Sequence, residues 1–470
     1  MTRGIIATPH RAASEAGAQV LRDGGNAIDA AIAADAVLCV VYPHMTSLGG
    51  DLMAIVWPAG ASEPVGLIGA GRSGEHATID AVRARGHELM PERGALTVTV
   101  PGTVEAWGRL IERYGTLGLA PLLEPAAAMA QDGYLITPGL SDFLKGAAEM
   151  LGREQAAYSL YPPMEAGMLL RNPDLATVLR DMGRHGINGF YRGDIGQAIA
   201  AAIAKRGGFV TARDLATHHS DWVDTLTVPY RDVVVHELPP PTQGLVAIEL
   251  LRNLQAEPDL RPGARFVDVF RGARDKAYAV RERIRDGGDT VYLCAADEHG
   301  NHVSLIQSVA YDFGSGIVAE GTGILLQNRG CYFSLDPSDP NRLEPKKRTR
   351  HTLIPALATR DGRPWALYGS MGGDGQPQLQ TQVLIQLVDH GLEPQEAVAR
   401  PRIRIPPDGR TITVEASYPG AAELARRSDV TLLPPGHRTL GHAQAIVVDA
   451  PGRWRAGADP RSDGSVETVG

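Results

Sequence analysis

A strand–turn–strand pattern in the second half of the chain constrains the fold more than any other feature. Residues Thr290 to Cys294 alternate as a strand does, and Asp297 to Asn301 supply a polar turn. His302 to Val309 then have the pattern of a second strand. Two such runs joined by a short turn predict a β-hairpin.

The residue that opens this hairpin, Thr290, is a candidate nucleophile. It follows Gly287-Gly288-Asp289, a break at which the chain could be cut to leave Thr290 as a new N-terminal residue. A threonine hydroxyl is a weak nucleophile without a base, and a free α-amine on the same residue is such a base. The alternative interpretation is a β-branched residue that opens an ordinary strand.

Composition excludes several classes of function. The chain has 470 residues, 43% hydrophobic content and a net charge of -8, so a nucleic-acid partner is not expected. The N-terminus lacks the apolar stretch of a signal peptide. The most apolar segment, Ala27 to Tyr42, contains Asp29 and Asp35 and is too short to span a membrane. We therefore expect a soluble, cytoplasmic protein without a membrane partner.

The chain changes character near Thr290. Before it we predict a strand at Gly4 to Ala7, a buried helix at Ala27 to Cys39 and a mostly helical region from Pro101 to Leu254. After it, alternating runs predict strands, with Gln378 to His390 as a helix among them. Those later strands are predicted at His302–Val309, Ala356–Arg360, Trp365–Gly369, Thr411–Glu415 and Ala443–Val448. The pattern predicts an α+β fold in which helices cover a sheet, or a layered αββα arrangement.

Short motifs along the whole chain resemble, in the right order, those of the γ-glutamyltransferase (γ-glutamyltranspeptidase) family. They are Gly24-Gly25-Asn26-Ala27, Ser47-Leu48-Gly49-Gly50-Asp51, Val100-Pro101-Gly102-Thr103, Pro239-Pro240-Pro241-Thr242-Gln243-Gly244, Gly321-Thr322-Gly323-Ile324-Leu325-Leu326, Gly369-Ser370-Met371-Gly372-Gly373 and Asp459-Pro460-Arg461.

The resemblance implies a fold and a maturation route. The fold is the four-layer αββα sandwich of the N-terminal nucleophile hydrolases. The precursor would cut itself between Asp289 and Thr290 into a large subunit, residues 1–289, and a small one, residues 290–470. The expected partners are a small-molecule substrate and these two subunits, with a homodimer of the processed pair as a possibility. No cofactor and no metal are expected.

The resemblance also assigns roles to residues. Thr290 aligns with the catalytic threonine, and Ser308 with a second hydroxyl residue that bonds the nucleophile's oxygen. Gly372-Gly373 align with glycines whose backbone N–H groups stabilise the oxyanion. Arg72 matches the arginine that holds a substrate carboxylate, a task suited to a guanidinium. The structural alternatives are a surface arginine for Arg72, a tight turn for Gly372-Gly373 and a polar strand residue for Ser308.

Four departures from the family pattern concern substrate recognition. Tyr332 stands where γ-glutamyl-specific members have an acidic residue that pairs with the substrate α-amine, and Arg329 would repel that amine. His351-Thr352 replace the paired serines that contact the glutamate carboxylate. Ala310 stands where an asparagine is expected. The chain therefore resembles the divergent acylase and amidohydrolase branch, and we expect Tyr332, Arg329, His351 and Thr352 to bind the substrate.

Other titratable residues invite a metal or nucleophile interpretation. His299 and His302 straddle the hairpin turn without further ligands at metal spacing, so we expect solvated turn histidines. Cys294 alternates with core residues and is expected in the core. One further departure is the short connector from Ile284 to Asp289, which could favour or hinder cleavage.

The first hypothesis is a self-processing amidohydrolase or acylase acting on a carboxylate-bearing small molecule, with hydrolysis preferred over transfer. Three alternatives stay open: a γ-glutamyl transferase or glutathione hydrolase, a secondary-metabolite homologue that removes an oxalyl-type group by C–C cleavage, and a non-maturing binding homologue.

Overall fold

The computed structural model describes residues 1–279 and 289–470, with the Asp289 side chain left out. Two antiparallel β-sheets pack face to face in this part of the chain. In spatial order, the first sheet contains β20 (Ser465–Val469), β1 (Gly4–Thr8), β9 (Asp289–Asp297), β10 (His302–Ala310), β2 (Asp51–Trp57), β3 (Val65–Gly69) and β6 (Asp221–Val223). The second contains β19 (Arg453–Ala458), β18 (Ala443–Ala450), β14 (Arg363–Ser370), β13 (Ala356–Arg360), β8 (Val233–Glu237) and β7 (Leu226–Tyr230).

Helices cover both outer faces of this pair of sheets. The first sheet packs against helices that include α1 (Arg11–Arg22), α2 (Ala27–Val41), α4 (Thr103–Tyr114), α5 (Leu119–Asp132), α6 (Pro138–Gly146), α9 (Pro173–His185) and α11 (Asp194–Lys205). The second packs against α13 (Gly244–Leu254), α14 (Ala264–Ala279), α15 (Gln376–Val388), α16 (Pro394–Ala399) and α17 (Ala421–Leu424). The four-layer αββα sandwich expected from the sequence is confirmed.

Shorter elements complete the described ranges. The remaining helices are α3 (Ile79–Arg83), α7 (Ala148–Leu151), α8 (Gln155–Leu160), α10 (Asn188–Arg192) and α12 (Ala212–Ala216). The remaining strands are β4 (Tyr134–Leu135), β5 (Leu169–Leu170), β11 (Val318–Ala319), β12 (Ile324–Leu325), β15 (Ile403–Arg404), β16 (Ile412–Glu415) and β17 (Val430–Leu433). Single 3-10 turns lie at Ala95–Thr97, Arg329–Tyr332, Gly373–Gly375 and Arg438–Leu440. Within the described ranges no helix combines the length and apolar character needed to cross a lipid bilayer.

Strand β9 runs through the middle of the first sheet, and its alternation decides which way Thr290 faces. Tyr292 and Cys294 lie between the two sheets, whereas Val291 and Leu293 pack against the outer helices. Because successive side chains of a strand point to opposite faces, Thr290 shares the inter-sheet face with Tyr292. A Cβ atom at Gly369 of β14 would lie 2.5 Å from the Tyr292 ring, so only glycine lets the sheets approach here.

Helix α2 is buried along its whole length, as its sequence predicts. The Asn26 side chain caps the N-terminus of this helix by accepting hydrogen bonds from the Ile28 and Asp29 backbone N–H groups. In turn, the Asp29 carboxylate accepts a hydrogen bond from the Asn26 backbone N–H. This capping box satisfies donors that would otherwise be buried without partners. The helix therefore forms a fixed support beneath β9 and β10.

The region from Pro101 to Leu254 is mostly helical, as predicted, although the short strands β6, β7 and β8 also lie within it. One prediction from the sequence is wrong. His302 is not a solvated turn residue: it opens β10, pairs with Trp57 and Ala296 across the sheet, and is buried. His299 is exposed in the turn and Cys294 is buried, both as predicted.

The predicted division at Asp289 does not separate two compact halves. Both sheets contain strands from residues 1–289 and strands from residues 290–470, so the two pieces would share each sheet. The expectation about the connector from Ile284 to Asp289 concerns residues outside the described ranges, apart from the Asp289 backbone.

Candidate active site

Thr290, the predicted nucleophile, is buried between the sheets with an exposed fraction of 0%. Gln376 donates a hydrogen bond from Nε2 to Thr290 Oγ1 at 3.3 Å and accepts one at Oε1 from the Ile354 backbone N–H at 3.2 Å. Gln376 is also the first residue of α15, and the N-terminus of a helix carries partial positive charge. A negative charge that develops next to Thr290 would therefore be stabilised by this helix end.

A β-bulge places Ser308 opposite Thr290. Gln307 pairs with Val291 and Ala310 pairs with Asp289, so Ser308 and Val309 together face the single residue Thr290. Bulges of this kind redirect side chains and are common beside active sites. The Ser308 hydroxyl accepts a hydrogen bond from the Ala310 N–H at 2.7 Å.

Ala310 adopts a φ of 81° at this bulge. Residues other than glycine rarely adopt this conformation, and asparagine tolerates it better than alanine does. The asparagine expected here from the family pattern would therefore fit the backbone with less strain.

Arg329 lies behind Ser308 as a buried cation, with an exposed fraction of 1%. Its Nη2 donates to Ser308 Oγ at 3.1 Å and its Nη1 donates to Thr352 Oγ1 at 3.1 Å. The nearest anion is Asp51, 3.9 Å from Nε. Among the described residues Arg329 Nε has no hydrogen-bond partner. The permanent charge of Arg329 is thus hydrogen-bonded to two neutral hydroxyl groups, and its counter-ion Asp51 lies beyond hydrogen-bond distance.

Asp51 and His351 form the other half of this buried network. His351 Nε2 lies 3.1 Å from Asp51 Oδ2, and His351 Nδ1 accepts a hydrogen bond from the Leu353 N–H at 3.3 Å. The Gly71 N–H and Gln327 Nε2 donate to Asp51 Oδ1 at 2.9 and 3.0 Å. The imidazole that fits these contacts is neutral and donates through Nε2.

The charges of this pair follow from burial and from Arg329. Burial opposes ionisation of Asp51, but the His351 hydrogen bond and the Arg329 charge outweigh it and hold the pKa of the carboxyl below its ordinary value. Burial and the same cation lower the pKa of His351 to about 4. At neutral pH the network therefore contains one cation, one anion and one neutral imidazole.

Gly372 and Gly373 form the turn that leads into α15. Their φ angles are 141° and 52°, conformations that favour glycine. A Cβ atom at Gly372 would lie 2.4 Å from Leu379 Cδ1. Gln243 Nε2 donates to the Gly373 carbonyl and to the Thr352 carbonyl, each at 2.8 Å. The turn is thus fixed beside the segment that carries His351 and Thr352.

Tyr332 forms the wall next to Arg329. It is buried, and the Arg329 guanidinium lies 5.4 Å from the centre of its ring. Burial raises the pKa of the Tyr332 phenol well above its ordinary value, so it stays neutral. The position that would carry an acid in γ-glutamyl-specific members is therefore filled by a large neutral ring over a cation.

Arg72 lies in a different setting from Arg329. Its Nη2 is 3.4 Å from Asp221 Oδ2, its side chain is 26% exposed, and Arg348 also pairs with Asp221. The chain connects this cluster to the buried network, because Gly71, the preceding residue, donates to Asp51.

The structure thus brings together most residues that the sequence singled out. Thr290, Ser308, Arg329, Tyr332, His351 and Thr352 lie in one continuous set of contacts, with the Gly372-Gly373 turn next to it. Sequence reasoning assigned no role to Asp51, Gln243 or Gln376. Asp51 and Gln243 lie within quoted family motifs, and Gln376 lies three positions after one, which was the available signal.

Comparisons with known proteins agree with this geometry. A sequence model of the family described as gamma-glutamyltranspeptidase matches residues 13–264 and 263–469. The glutathione hydrolase-like YwrD proenzyme of Bacillus subtilis is 34% identical, covering 99% of this chain and 98% of the relative. The oxamate amidohydrolase proenzyme of Klebsiella pneumoniae is 35% identical, with the same two shares. Among solved structures, cephalosporin acylase from Bacillus halodurans superposes with a TM-score of 0.91 at 35% identity, covering 99% of this chain and 96% of that one.

Proposed function

Because the chain belongs to the gamma-glutamyltranspeptidase family, we propose that it is a self-processing amidohydrolase whose nucleophile is Thr290. The chain is an enzyme of the hydrolase and acyltransferase type, as its amidohydrolase and acylase relatives are. The observation that carries the proposal is the setting of Thr290. It faces the inter-sheet space, receives a hydrogen bond from the residue that begins α15, and lies opposite a bulge.

Maturation would begin with attack of Thr290 Oγ on the Asp289 carbonyl carbon. The peptide C–N bond breaks as the ester bond forms, and the nitrogen takes the hydroxyl proton. Breaking the C–N bond frees the Thr290 α-amine, and water then hydrolyses the ester, which restores the Thr290 hydroxyl and leaves a new carboxylate at residue 289. The proenzyme names of the relatives support such a step.

Turnover would use the same oxygen. Thr290 Oγ attacks the substrate amide carbonyl, its own α-amine receives the proton, and that proton then passes to the leaving amine. The glycine turn at Gly372-Gly373 and the adjoining helix N-terminus would stabilise the tetrahedral oxyanion. Water hydrolyses the acyl ester and restores the threonine.

We propose that Arg329 holds a carboxylate close to the scissile carbonyl. Arg329 donates to Ser308, which lies opposite Thr290, so a carboxylate that replaced the hydroxyl contacts would be near the attacked carbon. A short acyl group such as oxalyl has that geometry. Arg72, assigned this role from the sequence, would serve longer acyl groups, since it pairs with Asp221 in a part-exposed cluster.

The same residues disfavour a γ-glutamyl substrate. The α-ammonium of a glutamyl group would meet Arg329 in place of an acid, and Tyr332 offers it no charge. Losing one charge-assisted contact costs about 1.5–3 kcal/mol. Hydrolysis of an oxamate-type amide is therefore favoured over γ-glutamyl transfer.

Product analysis with a panel of amides tests the proposal. Purified protein is incubated with oxamate, a glutaryl amide and a γ-glutamyl amide, and the released amine or ammonia is measured. We expect release from oxamate to be fastest and release by the Thr290→Ala variant to be undetectable. Equal release by that variant would show that Thr290 is not the nucleophile, and a preference for the γ-glutamyl amide would show that the substrate assignment is wrong.

A further inference from the structure

A cavity of about 570 Å³ lies at the end of the sandwich, outside the contacts described so far. Its size is within the range of small-molecule sites. Its lining includes Tyr42, His44, Phe143, Arg438 and His442, together with glycine positions of the loop that precedes β18.

Two histidines of this lining are buried, and among residues 1–279 and 289–470 their ring nitrogens have no hydrogen-bond partner. His44 and His442 have exposed fractions of 1% and 3%. Within the described part of the chain, both ring nitrogens of each residue are without a hydrogen bond. A neutral imidazole has one N–H donor and one acceptor nitrogen, and buried polar atoms are rarely left unpaired. The pair therefore calls for a molecule in the cavity that can both donate and accept.

The rest of the lining indicates what kind of molecule fits. The His44 ring packs between Tyr42 and Phe143, with centroids 4.3 Å away in each case. The Arg438 guanidinium lies 4.6 Å from the centre of the Phe143 ring, and the Arg438 residue is exposed. The carboxylates of Asp142 and Asp463 also line the cavity. Flat walls, two imidazoles, a guanidinium and two carboxylates suit a polar molecule that carries both a carboxylate and an amino group.

Two segments connect this cavity with the candidate active site. Met371, which also lines it, directly precedes Gly372 and donates its N–H to the His442 carbonyl at 2.9 Å. On the other side, the carbonyl of the lining residue Met45 accepts a hydrogen bond from the Val309 N–H at 3.1 Å. Val309 is one of the two residues opposite Thr290. The cavity thus adjoins both the glycine turn and the bulge.

We propose that this cavity binds the amine half of the substrate, the part that leaves when the amide is cleaved. The inference rests on the proposed function and extends it. The acyl half lies toward Arg329, the C–N bond breaks at Thr290, and the amine, after gaining a proton, occupies the cavity. The preferred leaving group is an amine that carries a carboxylate, as an amino acid does, with hydrogen-bonding groups for His44 and His442 and the carboxylate near Arg438.

Two substrates with the same acyl group test this assignment. Oxamate releases ammonia, which is too small to reach the cavity lining, whereas N-oxalylglycine releases glycine. We expect His442→Leu to lower kcat/KM for N-oxalylglycine about tenfold and for oxamate less than about twofold. A lost hydrogen bond to a charged or polar group is worth about a factor of ten. His302→Leu is the matched control, since His302 is a buried imidazole at the far end of the sandwich.

Arg438→Met is a second variant, less prone to disturb the fold because Arg438 is exposed. It should weaken N-oxalylglycine turnover selectively, through KM. Equal losses for both substrates, or unchanged turnover of both by the two variants, would overturn the assignment and leave a water-filled cavity. If the wild type cleaves neither substrate, the proposed function fails first. In that case, ligand-observed NMR of glycine binding to the Thr290→Ala chain tests the cavity assignment separately. The absence of binding, or binding that His442→Leu leaves unchanged, would overturn the assignment.

Discussion

Two arginine–carboxylate clusters lie next to each other in this protein and differ in their access to water. One contains Arg329, Asp51 and the neutral His351, with exposed fractions of 1% or less. In the other, Arg72 and Arg348 share Asp221, whose side chain is 37% exposed. Both clusters pair guanidinium groups with one carboxylate, but the first has one arginine and the second has two, and the first is far more buried.

The difference in burial distinguishes a cluster suited to substrate recognition from an ordinary ion pair at the surface. A buried guanidinium has lost its hydration, so it interacts strongly with any anion that reaches it and is costly to leave alone. A part-exposed one is screened by water and salt, and its pairings contribute little. The buried cluster is therefore the stronger candidate for substrate selection, although the sequence pattern pointed to Arg72.

The largest expected effect is on stability, when each cluster loses its anion. Asp51→Asn leaves the Arg329 charge buried without a counter-ion and should lower the free energy of unfolding by about 3–5 kcal/mol. Asp221→Asn should lower it by about 1 kcal/mol or less, because solvent screens that cluster. Urea unfolding at pH 7 measures both, in a Thr290→Ala background that is expected to keep the chain in one piece. Equal losses would remove the distinction between the clusters.

The next largest effect is on catalysis, when each cluster loses its cation. Arg329→Met should lower kcat/KM for oxamate about a hundredfold, which corresponds to roughly 2.7 kcal/mol of lost carboxylate binding in the transition state. Arg72→Met should lower it less than about threefold. Steady-state kinetics with both variants give the ranking, and circular dichroism controls for folding. A larger loss with Arg72→Met than with Arg329→Met would show that Arg72 binds the substrate carboxylate.

The smallest effect is on the pH dependence of stability. The folded chain keeps His351 neutral down to about pH 4, whereas its ordinary pKa is 6.5. Below pH 6.5 the unfolded chain thus binds more protons, and the free energy of unfolding should fall as the pH is lowered from 6.5 to 4. His351→Gln should reduce this fall by about 1–3 kcal/mol, at roughly 1.4 kcal/mol per pH unit. Urea titrations across that range, again in the Thr290→Ala background, measure the difference. An unchanged slope would mean that His351 is protonated in the folded chain.

The parts of the fold that the sequence predicted correctly are those with strong local patterns. The hairpin of β9 and β10 is continuous in sequence, and α2 is apolar on every face. The strands between Asp221 and Glu237 were missed because they are short, and because β6 and β7 are edge strands. An edge position tolerates a residue such as Pro229 that argues against a strand.

The candidate site was predictable as a set of motifs but not as a set of contacts. Asp51 and His351 are separated by 300 positions in the chain, and only the folded sheets bring them together. Nothing local distinguishes Arg329 from Arg72 as a carboxylate partner, because the difference between them is desolvation. His302 was misassigned for a related reason: turn residues are usually exposed, and its burial depends on the neighbouring strand β2.

The central claim is that Thr290 is freed by cleavage and then carries the acyl group. Denaturing mass spectrometry of the purified protein, before and after a rapid quench from oxamate, tests it most directly. We predict two fragments, residues 1–289 and residues 290–470, with the transient acyl mass on the N-terminal end of the second. The Thr290→Ala variant should give one intact chain. An intact wild-type chain that hydrolyses oxamate, or a cut at another bond, would contradict the claim.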